Sequence, residues 1–466
     1  MRKVIFISIL LTIALPGRAQ ERDVSNPVRV VFTAGFQPHP FGADPVWGGW
    51  PEGSLSRAMT YIRSHRRAVD EYHFALVACG TQLKGAYSLY PADFSGRILE
   101  YGRYETASYF TRAGLDFAIV EPDSYFDYDP DVRIGLFPEQ DTDLELIART
   151  TGIDLAVTAF GREPEVCRVI NFLGDTVMVI NLGTTGKYIG VADFSSPTEF
   201  AMKTVDISGF PVDAEYESHF APLTDSLHAF YNHPIAVIPQ TISQQGYLFD
   251  PTSYMTLFHR FQLETTGSAV SFFASPLVRD SIPAGELTFR DLLRRFRYDN
   301  RLRVVQLSGE EIRRYLEYAY GLRYNTMRRT SDDLLRLTRD RDGSLQTRSA
   351  VYNLDEAGGI RYEVDVSRPS GRRIQIVSMA DGSPFDLSGL YRVALNSHRL
   401  ENGTLSRACG LSSEQVSERV VWESENDYRL LLKDWVTDHP FLPEDTQNWK
   451  VVPASFVDAA RQREEQ

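Results

Sequence analysis

The sequence predicts an α/β fold in two domains, on three observations. Short β-branched and apolar runs alternate with helix-like stretches as far as Glu199, the pattern of layered sheets and helices. A largely polar helical stretch, Ala214 to Tyr231, interrupts that pattern, and a second mixed series of strands and helices follows it. At 466 residues the chain is also too long for one ordinary hydrophobic core.

In order, Val28 to Thr33 (VRVVFT) is a buried strand, followed by a Pro/Gly-rich loop from Pro38 to Pro51. Ser54 caps a helix that places Leu55, Ala58, Met59 and Ile62 on one face. Phe74 to Ala78 is a second strand, and Leu115 to Val120 and Ile153 to Thr158 are two more, each after a helix-like stretch and a glycine, Gly114 or Gly152. Val177 to Leu182 and Lys187 to Phe194 are expected to pair as neighbours around Gly183 and Gly186. Phe210-Pro211 ends the strand before the polar helix. Beyond it, Pro251 to Gln262 reads as an amphipathic helix with Tyr254, Leu257, Phe258 and Phe261 inward. Val270 to Phe273 is a strand, and Glu310 to Tyr320 a helix with Ile312, Leu316 and Ala319 inward. The implied division is a first domain over 28–199, a connector with a helix over 200–233 and a second domain over 234–460.

Residues 1–19 read as a signal peptide. Arg2 and Lys3 precede an apolar run, Val4 to Leu15, too short to span a bilayer, and Gly17-Arg18-Ala19 offers a cleavage site. The expectation is a periplasmic or secreted protein with no membrane span after cleavage. A content of 43% apolar and 12% aromatic residues excludes global disorder. With 49 Lys+Arg against 62 Asp+Glu, the net charge of −13 argues against nucleic acid as a partner. Cys79, Cys167 and Cys409 can form at most one bridge and show no metal-ligand spacing.

The second domain carries five separated blocks. Ala269 to Gly309 runs from a strand through Arg279, the turn Pro283 to Thr288 and a helix to the triplet Tyr298-Asp299-Asn300. YGLRYNTM (Tyr320 to Met327), AGGIRYEVDVSRPSGRR (Ala357 to Arg373), YRVALNSHR (Tyr391 to Arg399) and NWKVVP (Asn448 to Pro453) follow. In this order they resemble the C-terminal domain of the bacterial 5'-nucleotidase / 2',3'-cyclic-nucleotide phosphodiesterase family. The resemblance implies an N-terminal metallophosphoesterase-like sandwich joined to a 5'-nucleotidase C-terminal-type α/β domain, and a nucleotide or related phosphorylated small molecule as ligand.

A nucleobase has flat faces that aromatic rings can sandwich, each stack contributing roughly 1–3 kcal/mol. A guanidinium can fork onto ribose or phosphate oxygens. Carried over from the family, Tyr298 and His398 take the two stacking positions and Arg279 the nucleotide-binding arginine position. Taken without the resemblance, the structural reading is the better one, Tyr298 as a core ring and Arg279 as a surface ion-pair partner. The chain departs from the family at His398, where Phe or Tyr is usual, and at Glu401-Asn402-Gly403-Thr404, where a Gly-Gly loop is usual. Gln245 replaces an upstream binding arginine and Ala274 an asparagine. An exposed His398 is expected to become cationic below pH ~6.5 and so to favour an anionic ligand.

The family's first domain holds two divalent metals on Asp, His and Asn side chains at strand ends, which activate water and clamp a phosphate. Here the corresponding segments are FTAGFQP (Phe32 to Pro38), ACGTQLKG (Ala78 to Gly85), GLDFAIVEPDSYFD (Gly114 to Asp127) and GIDLAVTAFGR (Gly152 to Arg162). The ligand positions fall on Gly35, Gln37, Thr81, Pro122, Asp123, Phe160 and Arg162, so the resemblance implies a domain without its metal centre and no metal cofactor. The acidic series Asp123, Asp127, Asp129 and Asp131 lacks the glycine and the bidentate glutamate of a calcium loop, and reads as a solvated turn. No Gly-x-Ser-x-Gly nucleophile motif occurs. The reading favoured is an exported, catalytically inactive nucleotide-binding homologue with no catalytic residues. The alternatives are an active metal-dependent nucleotide phosphohydrolase and a structural or partner-binding protein.

Overall fold

The structure, a computed structural model, describes residues 26–33, 40–43, 51, 53–69, 71–79, 90, 93–120, 129–138, 143–276, 281–296, 298, 300–339, 345–439 and 447–464, and the backbone of 11–14. The chain forms two compact units, residues 1–229 and 230–466.

The first unit contains β1 (Leu11–Ala14), β2 (Val28–Thr33), α1 (Leu55–Ala68), β3 (Phe74–Ala78), α2 (Phe94–Gly102), β4 (Tyr109–Arg112), β5 (Leu115–Val120) and β6 (Val132–Phe137). It continues with α3 (Leu144–Arg149), β7 (Leu155–Thr158), β8 (Glu165–Ile170), β9 (Thr176–Asn181), β10 (Tyr188–Phe194), β11 (Glu199–Asp206) and the start of α4 (Ala214–Asn232). Two sheets form, in the orders β1-β11-β10-β2-β3 and β4-β5-β6-β7-β9-β8. The twofold period of the side chains explains their stacking. Val28, Val30 and Phe32 of β2, with Ala75 and Val77 of β3, meet Leu115 and Phe117 of β5, Leu155 and Val157 of β7, and Met178 and Ile180 of β9 in one core. The alternate residues Ala118, Val120, Ala156, Val177 and Val179 face away and cover Ile147 of α3. On the other side, Ser54 caps α1 by accepting from the Arg57 amide at 3.3 Å, and Leu55, Ala58, Met59 and Ile62 are all buried. The result is a sandwich of two sheets with helices outside.

One expected pairing is wrong. β9 and β10 are not neighbours: β9 lies between β7 and β8, whereas β10 lies between β2 and β11. Gly183 and Gly186, both at positive φ, carry the chain from one sheet to the other, and β9 takes its hairpin partner from the segment before it. α4 is also less polar in effect than its composition suggests. Tyr216 and Phe220 are fully buried, against a ring cluster that includes Phe41, Phe94 and Tyr101. Asp213 accepts from the Tyr216 amide at 2.8 Å and pairs with Arg63 at 2.8 Å.

The second unit follows as β12 (Pro234–Ile238), β13 (Ile242–Ser243), α5 (Ser253–Thr266), β14 (Val270–Phe273), β15 (Ser281–Ile282), β16 (Gly285–Thr288), α6 (Phe289–Arg295), β17 (Arg301–Ser308) and α7 (Gly309–Arg323). Then come β18 (Leu337–Arg339), β19 (Leu345–Thr347), β20 (Glu356–Gly358), β21 (Ile360–Asp365), β22 (Ile374–Met379), β23 (Leu390–Asn396), α8 (His398–Glu401) and α9 (Thr404–Cys409). It ends with α10 (Ser413–Glu418), β24 (Val420–Asp427), α11 (Tyr428–Asp438), β25 (Trp449–Val452) and α12 (Ala454–Glu464). Its main sheet is mixed, in the order β20-β14-β23-β17-β24. α7 starts with a reciprocal capping box between Ser308 and Glu311 and buries Ile312, Leu316 and Ala319. Phe272 of β14 stacks on Tyr315 of α7, with centroids 4.0 Å apart. α5 begins at Ser253, capped by Thr252, and runs four residues beyond the expected Gln262. It is buried nearly all round over its first ten residues, where the sequence suggested a single inward face.

The three cysteines are free thiols. Burial pushes Cys79 and Cys409 up to about 12, which leaves both unreactive.

Candidate functional site

In the first unit the strand directions fix where the four family-like segments emerge. β2 and β3 run parallel, as do β5, β6, β7 and β9. Cys79, just past β3, sets its Sγ 3.3 Å from the Val157 carbonyl near the end of β7, so these strands of the two sheets finish at one end of the sandwich. β2 stops at Thr33, β3 at Ala78, β5 at Val120 and β7 at Thr158, each inside its segment and just before the family ligand positions. Gly35, Gln37, Thr81, Pro122 and Asp123 lie outside the described residues. Phe160 and Arg162 are described: Phe160 is half-buried and Arg162 is exposed.

A buried amide organises the loop after β7. Asn181 Oδ1 accepts from the Thr158 hydroxyl at 3.0 Å, the Phe160 amide at 3.0 Å and the Gly183 amide at 3.2 Å. Its Nδ2 donates to the carbonyls of Phe160 at 3.0 Å and Glu163 at 3.3 Å. This side chain thus closes both ends of the segment that holds Phe160 and Arg162. Of the acidic series, Asp131 accepts from the Asp116 amide at 2.9 Å and Asp129 pairs with Arg133, while Asp123 and Asp127 lie outside the described residues. Among the described residues, no group of three or more His, Cys, Asp or Glu side chains is placed to hold a metal ion.

In the second unit the sheet register collects the candidate binding residues at one end. Leu302 at the start of β17 pairs with Asn396 at the end of β23, and the Ser397 amide donates to the Arg301 carbonyl at 2.8 Å. Tyr298 enters β17 there, and His398 leaves β23 there. β14, parallel to β23, ends on the same side at Phe273, and its antiparallel neighbour β20 begins there with Glu356. Arg279 lies outside the described residues. Tyr298 is 60% exposed, so it is not a core ring. No ring contact joins Tyr298 to His398 among the described residues; the aromatic partner of His398 is Tyr352, with centroids 6.2 Å apart and planes at 71°.

Two bonds set the state of His398. The Thr404 amide donates to Asn402 Oδ1 at 2.9 Å, which orients the Asn402 amide nitrogen toward His398 Nε2 at 3.0 Å. Nε2 therefore accepts, and the ring proton sits on Nδ1. Burial, and then the Arg399 charge, hold His398 below its ordinary value, which corrects the expectation of a freely titrating, exposed imidazole. Arg399 is itself buried. Its Nε donates to Asp355 at 3.0 Å and its Nη2 to the Tyr352 carbonyl at 2.5 Å, while the Tyr315 hydroxyl donates to Asp355 at 3.0 Å. This cluster bolts α8 to the loop that carries Tyr352. His398 lines a cavity of about 380 Å³ with Tyr352 and Arg407, whereas Gln245 lines a different cleft, of about 1480 Å³. Tyr352, Arg399 and Asp355 were missed in the sequence, because their roles follow from a β14–β20 pairing that no local spacing announces.

These features define a two-domain α/β protein: a helix-flanked sandwich whose loops share one end, and a mixed-sheet unit with a ring-lined cavity. Residues 234–408 match the family described as 5'-nucleotidase, C-terminal domain, and over this part the chain is similar to 5'-nucleotidases and 2',3'-cyclic-nucleotide phosphodiesterases. It is 26% identical over 189 residues to the trifunctional nucleotide phosphoesterase protein YfkN of Bacillus subtilis, covering 38% of this chain and 12% of that protein. It is likewise 26% identical over 189 residues to the 2',3'-cyclic-nucleotide 2'-phosphodiesterase/3'-nucleotidase of Salmonella typhimurium, covering 37% of this chain and 27% of that one. The chain thus matches only a minor part of the length of these curated relatives. A Staphylococcus aureus structure described as a 5'-nucleotidase shares the fold with a TM-score of 0.57 at 15% identity, over 91% of this chain and 99% of that one.

Proposed function

We propose that this protein is an exported nucleotide-binding member of the family that does not hydrolyse its ligand. The observation that carries the reading is the loop after β7. Phe160 has no donor atom and Arg162 is a cation, so at two family ligand positions there is nothing for a divalent metal to bind. The Asn181 amide braces this loop instead, through five hydrogen bonds. Gly35 and Pro122, also lacking side-chain donors, extend the argument to two further segments by sequence. Binding is supported by the end of the main sheet in the second unit, where His398, Tyr352 and Tyr298 are carried on adjoining strands and loops. Export rests on the leader-like residues 1–19.

The test is the metal content of the purified protein combined with phosphate release from AMP and 2',3'-cyclic AMP, with and without added Mn²⁺ or Zn²⁺. The expected outcome is substoichiometric metal and no release above the buffer control, together with saturable binding of AMP. Metal-dependent release would establish the phosphohydrolase reading in its place.

A further inference from the structure

In the first unit, β8 forms one edge of its sheet, beyond β9. The Asn171 amide donates to the Asp175 carbonyl at 2.9 Å, which fixes the phase of the β8–β9 ladder. Glu165, Cys167 and Val169 therefore bond to β9, and Val166, Arg168 and Ile170 turn their N–H and C=O groups outward. No strand covers that edge among the described residues. Natural sheets shield such an edge with a proline, a bulge or a very short strand. β8 has none of these, since it contains no proline and pairs with β9 without a register shift over its full length. Apolar side chains gather at its C-terminal end. Ile170, Phe172 and Leu173 are each exposed over more than half their surface, and Leu146 of the adjoining α3 is exposed as well. The turn that carries Phe172 is tied to α3, because the Phe172 amide donates to the Ala148 carbonyl at 3.0 Å.

This edge is complementary to itself. Two copies of β8 can pair antiparallel about a twofold axis only with outward-facing residues opposite one another. Two such pairings keep nearly the whole strand in contact, one centred on Arg168 and one on Cys167. The first sets two guanidinium groups directly opposite, which is destabilising. The second lets Val166 exchange both backbone bonds with the partner's Arg168 and opposes no like charges. It also brings the partner's Phe172 level with Arg162, an exposed guanidinium in the loop after β7 that a ring face can cover. We propose that the free edge of β8 binds a second copy of this chain, joining two six-stranded sheets across a twofold axis at Cys167, with the ring of Phe172 from each copy laid on Arg162 of the other. The inference does not rest on the nucleotide-binding reading. At the axis the two Cys167 residues form a non-hydrogen-bonded pair with Cα atoms about 4.5 Å apart, within the span a disulfide needs. Cys167 is half-buried whereas Cys79 and Cys409 are buried, so its thiol reports the pairing.

Sedimentation velocity of the full chain over a micromolar concentration series, with a reductant present, is expected to show a reversible monomer–dimer equilibrium. Arg168→Pro removes an outward N–H and leaves the bonds to β9, and Phe172→Arg replaces the covering ring by a like charge. Each is expected to weaken association by about tenfold or more. Thermal melts check folding. Should Arg168→Pro lower the melting temperature, Phe172→Arg carries the test, since that side chain lies on the surface. Oxidation by copper(II) phenanthroline, which takes two electrons from the two thiols while their protons pass to solvent, is expected to give a covalent dimer with the wild type. None is expected with Cys167→Ser, and little with Arg168→Pro. A chain that stays monomeric throughout the series overturns the proposal. A dimer of unchanged affinity in both variants, with no Cys167 bridge, places the contact on another surface and overturns it as well. A bridge that forms equally in Arg168→Pro marks random collision, and the pairing about Cys167 then fails.

Discussion

Arg323 Nη1 lies 3.4 Å from Glu356 Oε1, and both side chains are sealed from solvent inside the second unit. The guanidinium sits over the rings of Tyr247, Tyr320, Tyr324 and Trp449, between 4.9 and 5.9 Å from their centroids, and Trp449 Nε1 donates to the other carboxylate oxygen at 2.9 Å. Removing one partner strands a buried charge. Arg323→Met is therefore expected to cost about 3–5 kcal/mol in urea unfolding. The double variant Arg323→Met/Glu356→Gln should recover part of that loss, because no unpaired carboxylate remains. An additive double variant would show that the ionic pairing is incidental to the packing.

Two buried groups give opposing pH slopes. Burial pushes Glu356 up to about 7 despite Arg323, against an ordinary value of 4.5. The folded state then holds a proton that the unfolded chain has released, so this group removes stability as pH rises from 4.5 to 7. Burial pushes His259 down to about 3 from an ordinary 6.5, with Nδ1 2.6 Å from the Ser271 hydroxyl. The unfolded chain takes up a proton that the folded state refuses, so stability is full above pH 6.5 and is lost as pH falls toward 3. Each slope approaches about 1.4 kcal/mol per pH unit inside its window. Denaturant midpoints at half-unit intervals are expected to show Glu356→Gln steepening the acid-side loss and His259→Gln flattening it.

Asn181 makes the loop after β7 dependent on one side chain. Asn181→Ala leaves the Phe160 and Gly183 amides without their acceptor, and each buried orphan costs about 1–3 kcal/mol. A loss of roughly 3 kcal/mol is expected, since the loop can relax toward water. Hydrogen exchange at those two amides should accelerate far more than at Val157 or Val179 in the neighbouring strands. Uniform acceleration would mean that Asn181 supports the whole sandwich and not the loop.

Most of the first unit was legible because its strands declare themselves locally. Phe74–Ala78 is a continuous apolar run, Val28–Thr33 is an apolar run interrupted by Arg29, and Ser54 marks the start of α1 by its own chemistry. The pairing of β9 was not legible. A Gly-x-x-Gly link looks like a hairpin, and only burial of both faces of Val177–Leu182 distinguishes a central strand from one arm of a ribbon. β4 escaped notice because Tyr109–Arg112 is short and half exposed. In the second unit, the sequence blocks named His398 but not Tyr352, the ring it meets. Tyr352 comes to His398 through β20 pairing with β14 and the Arg399 bond, contacts between segments more than 40 residues apart.

The leader reading meets one structural fact: Leu11–Ala14 pairs antiparallel with Glu199–Met202 at the edge of the first sheet. The sheet does not depend on that pairing. β11 is held on its other side by seven paired positions along β10, and its exposed edge would carry Glu199 and Lys203, charges that discourage edge-to-edge association. Intact-mass analysis of protein secreted from its own leader is therefore expected to show a chain beginning at Gln20. A 20–466 variant produced without the leader should melt within a few degrees of the full chain. If Met1 is retained and the truncated form melts far lower, Leu11–Ala14 is a working strand of the sandwich and export by this leader is refuted. If the truncated form matches the full chain in stability and AMP affinity, residues 1–19 carry no part of fold or site, as expected of a leader.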